Sequence, residues 1–372
     1  MFVFNVSHEL RTPLTSMIYA ITNLLRGVLG PLTPDVRQYL EMLNGDCRRL
    51  FNTVSDILDL RKLEDKTLTL SRTVVPVGRL VMAAMDTLRM HAERKSLRMN
   101  VERPTTGWFV SADVLKLDRV FMNIIGNAIK FTPEGGAVTA RVEADPDRPG
   151  SVVVRIVDTG IGIPPEAIDK VTQRYFTVGD QVSGSGLGLA ISREIVELHS
   201  GALSVCSPPS GMDRGTMVSV SLAAAAAPNV LLVGQNDEQV GRLRAEFERS
   251  GYRVFVAGNA GESLVCMDEV APVAVVIDLS EPSSDGTELI LRMRSDKVRR
   301  SVPILALADV SLGAAKEQVL HSLSIPVMRR SCDGMELIGC VEDALLGPGS
   351  AVHIGAARSG AEQRAAIAAK EE

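Results

Sequence analysis

The chain has 372 residues, which at about 150 residues per domain implies two to three domains and excludes a single small module. Hydrophobic residues make up 45% and charged residues 23%, a balance that builds packed cores and excludes a disordered chain. With 45 acidic against 40 basic residues the net charge is −5, so there is no basic footprint for nucleic acid and no polybasic membrane anchor. Apolar runs such as Val273 to Ile277 stay far below the roughly 18 residues of a membrane span. The opening FVFNVSHELR lacks the pattern of a signal peptide. Five cysteines, at 47, 206, 266, 332 and 340, match neither disulfide nor metal-ligand spacing, and a reducing, cytoplasmic compartment is expected.

In chain order, the first signal is helical. Apolar residues at 10, 14, 17, 21, 24 and 28, and again at 36, 40, 43, 47, 50, 54 and 57, alternate steps of four and three, which is a heptad seam on each of two helices. Between them GVLGPLTPD breaks the helix, so residues 2–64 read as a helical hairpin. Two helices bury little alone, and two such hairpins are expected to pair into a dimeric four-helix bundle.

From about Thr67 to Leu222 helical stretches mix with alternating ones at 137–144, 152–157 and 216–222, giving an α+β sandwich with one sheet face covered. Residues 223–228 read as a short hinge. Short apolar strands at 229–233, 253–257, 273–278, 302–307 and, more weakly, 325–328 alternate with helix-length segments, the pattern of an α/β doubly wound, flavodoxin-like sheet. The expected domains are therefore 1–66, 67–222, the linker 223–228, 229–346 and a tail 347–372.

The chemistry begins with SHELRTPLTSM on the first helix. His8 falls beside the seam and points outward, Glu9 can orient or deprotonate its ring, and Thr12 lies one turn further on the same face. Pro13 leaves the carbonyl of Glu9 without its helical donor. A solvated coiled-coil histidine would also fit a lone His, but the whole string resembles the phosphoacceptor box of sensor histidine kinases. The resemblance continues downstream. DRVFMNIIGNAIKFTPEGG, residues 118–136, is similar to the family's asparagine box, with Asn123, Asn127 and Lys130 on one helical face. Amide oxygens there suit Mg²⁺ and the ammonium suits phosphate, while Val120, Ile124 and Ile125 form a compatible apolar face.

Asp158 opens DTGIGIP, where Gly160 and Gly162 allow close backbone approach, and the resemblance gives this aspartate the exocyclic amine of adenine. GSGLGL contributes Gly184, Ser185, Gly186, Leu187 and Gly188 at a helix N-terminus, where backbone amides bind phosphate. Tyr175 and Phe176 take the place of the family's aromatic lid box, and Thr172 stands where its first aromatic belongs. Arg174 is either a γ-phosphate contact or a surface arginine.

Residues 229–346 resemble a response-regulator receiver, with Asp278 in VAVVIDLSEPSSDG at the phosphoacceptor position. The family's acidic pair appears as Gly234 and Gln235, its switch threonine as Ala308, and its lysine as Arg330. Asp237 or Glu238 can substitute as metal ligands, against the alternative of a helix N-cap at Asn236 or Asp237. The expectation is a pseudo-receiver used for docking or regulation; a working relay from His8 to Asp278 is the alternative.

Taken together, the resemblance implies an ATP- and Mg²⁺-dependent protein-histidine kinase that autophosphorylates His8, with Glu9 as base and Thr12 positioning water for a phosphatase reaction. It implies a homodimer, a response-regulator receiver as phosphate recipient, and an N-terminal sensor module outside this chain. Conformational ATPases share the asparagine and glycine boxes but lack the SHELRTPL helix, and a non-catalytic nucleotide-binding scaffold is the remaining alternative.

Overall fold

The computed structural model describes residues 2–64, 68–102, 107–178, 185–235, 238–280, 286–308 and 312–347. These residues divide into two compact units, one within Met1–Leu70 and Ile163–Leu198, the other within Ser71–Gly162 and His199–Glu372.

The hairpin forms as the heptads require: α1 (Phe2–Leu25) and α2 (Pro34–Glu64) pack along each other. Pro34 opens α2, a position where its missing N–H costs nothing. Leu14, Leu58 and Leu60 are buried, yet seam residues Met17, Leu43, Leu50 and Ile57 remain exposed, at 52%, 48%, 53% and 42%. Among the described residues these seam side chains therefore lack a covering partner within one chain.

Next come β1 (Thr73–Pro76), α3 (Val77–Glu93), β2 (Arg98–Glu102), β3 (Phe109–Ala112), α4 (Val114–Phe131), β4 (Ala137–Ala144) and β5 (Ser151–Asp158). The short α5 (Pro165–Ile168) and α6 (Gly188–Leu198) belong to the first unit, where α6 packs on α2. After α6 the chain forms β6 (Ala202–Cys206) and β7 (Thr216–Ala223). Strands β2-β4-β5-β7-β6 make a mixed sheet, parallel between β2 and β4 and antiparallel elsewhere, while β1 and β3 pair in a separate antiparallel ribbon. Val138, Ala140 and Val142 on β4, and Val152, Val154 and Ile156 on β5, alternate inward, and α3 and α4 cover that face. Asp158 has the same parity as Ile156, which is why this carboxylate is buried.

The C-terminal domain comprises β8 (Asn229–Val233), α7 (Glu238–Arg249), β9 (Arg253–Ala257), α8 (Ala260–Val270), β10 (Ala274–Asp278), α9 (Gly286–Ser295), β11 (Ile304–Ala308), α10 (Ala314–Ser322), β12 (Val327–Arg329) and α11 (Gly334–Leu346). Its five strands are all parallel in the order β12-β11-β10-β8-β9, the doubly wound arrangement. Leu232, Val276 and Leu307 pack under α7 and α11, and Leu231, Val275 and Ala306 under α8, α9 and α10. Near-continuous apolar strands follow from a sheet covered on both faces.

The segment expected as a hinge, 223–228, is held along half its length. Ala223 ends β7, the N–H of Ala224 donates to the Gly150 carbonyl at 3.0 Å, and that of Ala225 to the Phe109 carbonyl at 2.7 Å. The difference arises because a run of alanines has no turn-forming residue to keep it out of a neighbouring strand's reach. Among the described residues no helix is long and apolar enough to cross a membrane. The expected tail lies, beyond Gly347, outside the described residues.

Candidate nucleotide and phosphoacceptor sites

Helix α4 is the scaffold of the asparagine face. It buries Leu117, Phe121, Ile124 and Ile125 almost completely, each contributing about 1.5–3 kcal/mol, so the opposite face is forced outward. Asn123 and Asn127 are half-buried there and Lys130 is exposed, its ammonium 4.8 Å from the Phe131 ring centroid. Both helix ends are pinned. At the start, the Asp113 carboxylate caps the chain, accepting from the N–H of Lys116 at 3.1 Å and of Ser71 at 3.0 Å, while the Asp113 N–H donates to Nε2 of buried His199 at 3.0 Å. At the far end, the Lys95 ammonium donates to the carbonyls of Ile129, Lys130 and Thr132 at 2.8, 3.0 and 2.7 Å. Those carbonyls have no helical donor, and a cation there also opposes the negative end of the helix dipole.

Asp158 is only 5% exposed, and burial raises its pKa against the lowering effect of two backbone donors. These are the N–H groups of Gly160 and Thr216, at 2.8 and 3.2 Å, and both reach Oδ1. Among the described residues no hydrogen bond falls on Oδ2, which leaves one oxygen of this buried residue able to accept from a ligand. The register of β5 against β7 places Thr216 directly opposite Asp158. Gly160 admits no side chain: a Cβ would stand 2.6 Å from Oδ1 of Asp158 and 2.7 Å from the Phe131 carbonyl. The N–H of Ile161 also donates to that carbonyl, so the loop after Asp158 rests on the end of α4. The structure thus brings the asparagine face and the aspartate loop into one locality. Gly162, at φ +77°, completes the turn.

In the other unit, Ser185, Gly186 and Leu187 lead into Gly188, the first residue of α6, while Gly184 lies outside the described residues. The carbonyl of Gly186 accepts from the Tyr175 N–H at 2.9 Å, and at φ +67° a Cβ there would fall 2.6 Å from the Tyr175 carbonyl carbon. Tyr175 is 67% exposed. Arg174 pairs with Glu194 at 2.8 Å, and Thr172 accepts from Arg193 at 3.2 Å. The residues present fit a nucleotide with Mg²⁺: Oδ2 of Asp158 can accept from a ligand, Gly160 lets the loop close on Asp158 and the end of α4, and the amides of Asn123 and Asn127 offer neutral oxygens.

His8 and Glu9 fall within α1, but their side chains lie outside the described residues; Thr12 is described and exposed. Asp278 ends β10 as expected. Its Oδ2 stands 2.8 Å from Nε of Arg330, an ion pair by distance rather than an aligned hydrogen bond, and its Oδ1 accepts from the Ser280 N–H at 2.9 Å. Gly234 comes so close that its Cβ would sit 3.0 Å from that of Asp278; Gln235 is exposed and Ala308 buried. Glu238 is exposed and paired with Arg242, while Asp237 lies outside the described residues. No cluster of three metal-ligating side chains occurs among the described residues.

Sequence reasoning missed Lys95, His199 and Thr216. Their roles depend on partners 34 to 86 residues away, for which local pattern carries no signal.

Residues 1–66 match the His Kinase A (phospho-acceptor) domain, and residues 112–226 the histidine kinase-, DNA gyrase B- and HSP90-like ATPase. The two matched stretches cover α1 and α2 and the region from the end of β3 to the residues just after β7. It is 33% identical over 233 residues to histidine protein kinase DivJ of Caulobacter vibrioides, covering 62% of this chain and 38% of that protein. It is 33% identical over 342 residues to the circadian input-output histidine kinase CikA of Thermosynechococcus vestitus, covering 83% and 45%. Full-length ShkA in complex with AMPPNP is similar at TM-score 0.49 and 23% identity, over 92% of this chain and 71% of that one. The chain spans 36% to 42% of the length of the first three curated relatives it matches.

Proposed function

We propose that this chain is the ATP-dependent autokinase core of a two-component signalling protein, with His8 as phosphoacceptor. The observation that carries this reading is Asp158: a buried carboxylate with one unbonded oxygen, set beside a glycine that admits no side chain and against the end of the asparagine helix. In this reading Oδ2 of Asp158 accepts from the adenine amine, Lys130 meets phosphate oxygens, and the amides from Ser185 to Gly188 line the phosphates. Asn123 and Asn127 hold Mg²⁺, which when bound neutralises phosphate charge.

Catalysis by this chain's own groups is positioning and proton transfer. A neutral imidazole nitrogen of His8 attacks the γ-phosphorus, the bond to the bridging oxygen breaks, and ADP leaves with the electron pair. Glu9 takes the proton released from the ring, and Thr12 positions water for the reverse, hydrolytic reaction. The exposed seam of α1 and α2 supports a homodimer through a four-helix bundle. Domains at 1–66, 67–222 and 229–346 joined by 223–228 accord with this reading. The C-terminal domain serves as a receiver-like docking or regulatory domain, supported by the Arg330 ion pair on Asp278 and the missing acidic pair. The phosphate recipient is then a receiver on another protein, and an N-terminal sensor supplies the input.

Labelled ATP tests this reading. Acid-labile, base-stable label on the chain is the expected result, and ATP hydrolysis without protein label would favour a conformational ATPase or scaffold instead.

A further inference from the structure

Two domains of the second unit share one apolar core. Phe109 of β3, 3% exposed, packs among residues of the C-terminal domain, with its ring centroid 4.7 Å from that of Tyr252 in an edge-to-face contact, and Tyr252 in turn meets Phe247 of α7 at 5.5 Å. The backbones touch as well, since a Cβ on Gly107 would lie 2.1 Å from the Ser250 carbonyl oxygen. Beside this contact Arg79, in the first turn of α3, makes a bidentate pair with Asp343 of α11: Nε to Oδ1 and Nη2 to Oδ2 are both 2.6 Å. Two parallel bonds fix direction as well as distance.

The other end of α3 bears on the nucleotide helix. Lys95 follows α3 by two residues and holds the carbonyls of Ile129 and Lys130 in the last turn of α4 and of Thr132 just beyond it. Helix α3 has 17 residues, so it is a rod of about 25 Å whose first turn is gripped by the C-terminal domain and whose trailing lysine grips α4. Val77, Leu80, Val81 and Met85 are buried along it, which leaves it no freedom to bend between the two grips.

We infer that the C-terminal domain is a fixed regulatory partner of the ATP-binding domain, occupying the β1–β3 ribbon and setting the position of α4 through Arg79, α3 and Lys95. The α7–α11 face of that domain is then closed to any other protein, and a change in its packing reaches the asparagine face without phosphorylation of Asp278. The nucleotide part of this inference rests on the kinase reading above.

The test uses the full chain. Arg79→Ala, Asp343→Ala and the exchanged pair Arg79→Asp with Asp343→Arg are compared by ATP affinity, by amide exchange at residues 129–132, and by emission from Trp108. This is the chain's sole tryptophan, and its carbonyl accepts from Val77 at the start of α3. Each single variant should weaken ATP binding about fivefold, the low end of measured coupling between sites. It should also speed exchange at 129–132 and red-shift Trp108, and the exchanged pair should recover all three. Wild-type exchange and emission in both single variants would overturn the inference, as would a loss that the exchanged pair leaves unrecovered. If the unaltered chain binds no ATP, the kinase reading fails, while exchange at 129–132 still decides the coupling.

Discussion

In the C-terminal domain Nε of Arg330 stands 2.8 Å from Oδ2 of Asp278, so the chain's own cation faces this carboxylate and offsets its charge. The side chain of Asp278 is 9% exposed and that of Arg330 23%. Removing one partner of such a pair leaves the other unsatisfied at a cost of about 1–3 kcal/mol. Arg330→Ala should lower the thermal unfolding temperature, whereas Mg²⁺ should leave that temperature of the unaltered chain unchanged. Asp278→Ala should leave the lifetime of label on His8 unaltered; rapid loss of label that depends on Asp278 would show a working relay.

His8→Ala should abolish acid-labile labelling while ATP affinity stays at its original value, because the nucleotide-binding groups lie on other elements. Label accumulating in that variant at the original rate would place the acceptor elsewhere.

Asp158 should make ATP binding pH-dependent. Burial raises its pKa above 3.8, so the free protein holds this proton to higher pH than an ordinary carboxylate does, and this group's contribution to stability is present at low pH and lost as pH rises through the raised value. Accepting from an adenine amine favours the ionised form, so ATP affinity should fall on acidification with a midpoint above that of an ordinary carboxylate. At neutral pH Asp158→Ala should weaken binding by about ten- to a hundredfold, equivalent to one lost buried partner. Calorimetry showing the same affinity for Asp158→Ala and the unaltered chain would remove Asp158 from the site.

Lys95→Met keeps the aliphatic stem and deletes the three bonds to the end of α4. It should destabilise the domain by about 1–3 kcal/mol and weaken ATP binding, while Lys95→Arg should recover part of both. A denaturant midpoint equal to that of the unaltered chain would mean that water replaces the ammonium at no cost.

Local periodicity determined a great deal. The four-and-three spacing of apolar residues outlined α1 and α2, and strands β8 and β9 fall on the expected residues. The strands β10 to β12 begin one or two residues later than the apolar runs, since such runs overshoot the hydrogen-bonded ladder. Four strands gave no usable pattern. β1 and β3 have four residues each, too few to show a period, and β2 and β6 are edge strands with little buried surface, so polar residues such as Arg98, Asn100 and Ser204 interrupt the signal.

The sequence by itself therefore determined which residue types stand on which helix face, including Asn123, Asn127 and Lys130, because side-chain direction follows from a period of 3.6 residues. Only tertiary structure decided what those faces meet. Arg79 and Asp343 are 264 positions apart, Asp113 and His199 86, and Asp158 and Thr216 58. Hydrophobic burial is roughly proportional to area and blind to direction, so pattern alone reports it. An ion pair or a buried hydrogen bond depends on angstrom-scale placement of two groups, and that placement exists only once the elements carrying them have packed.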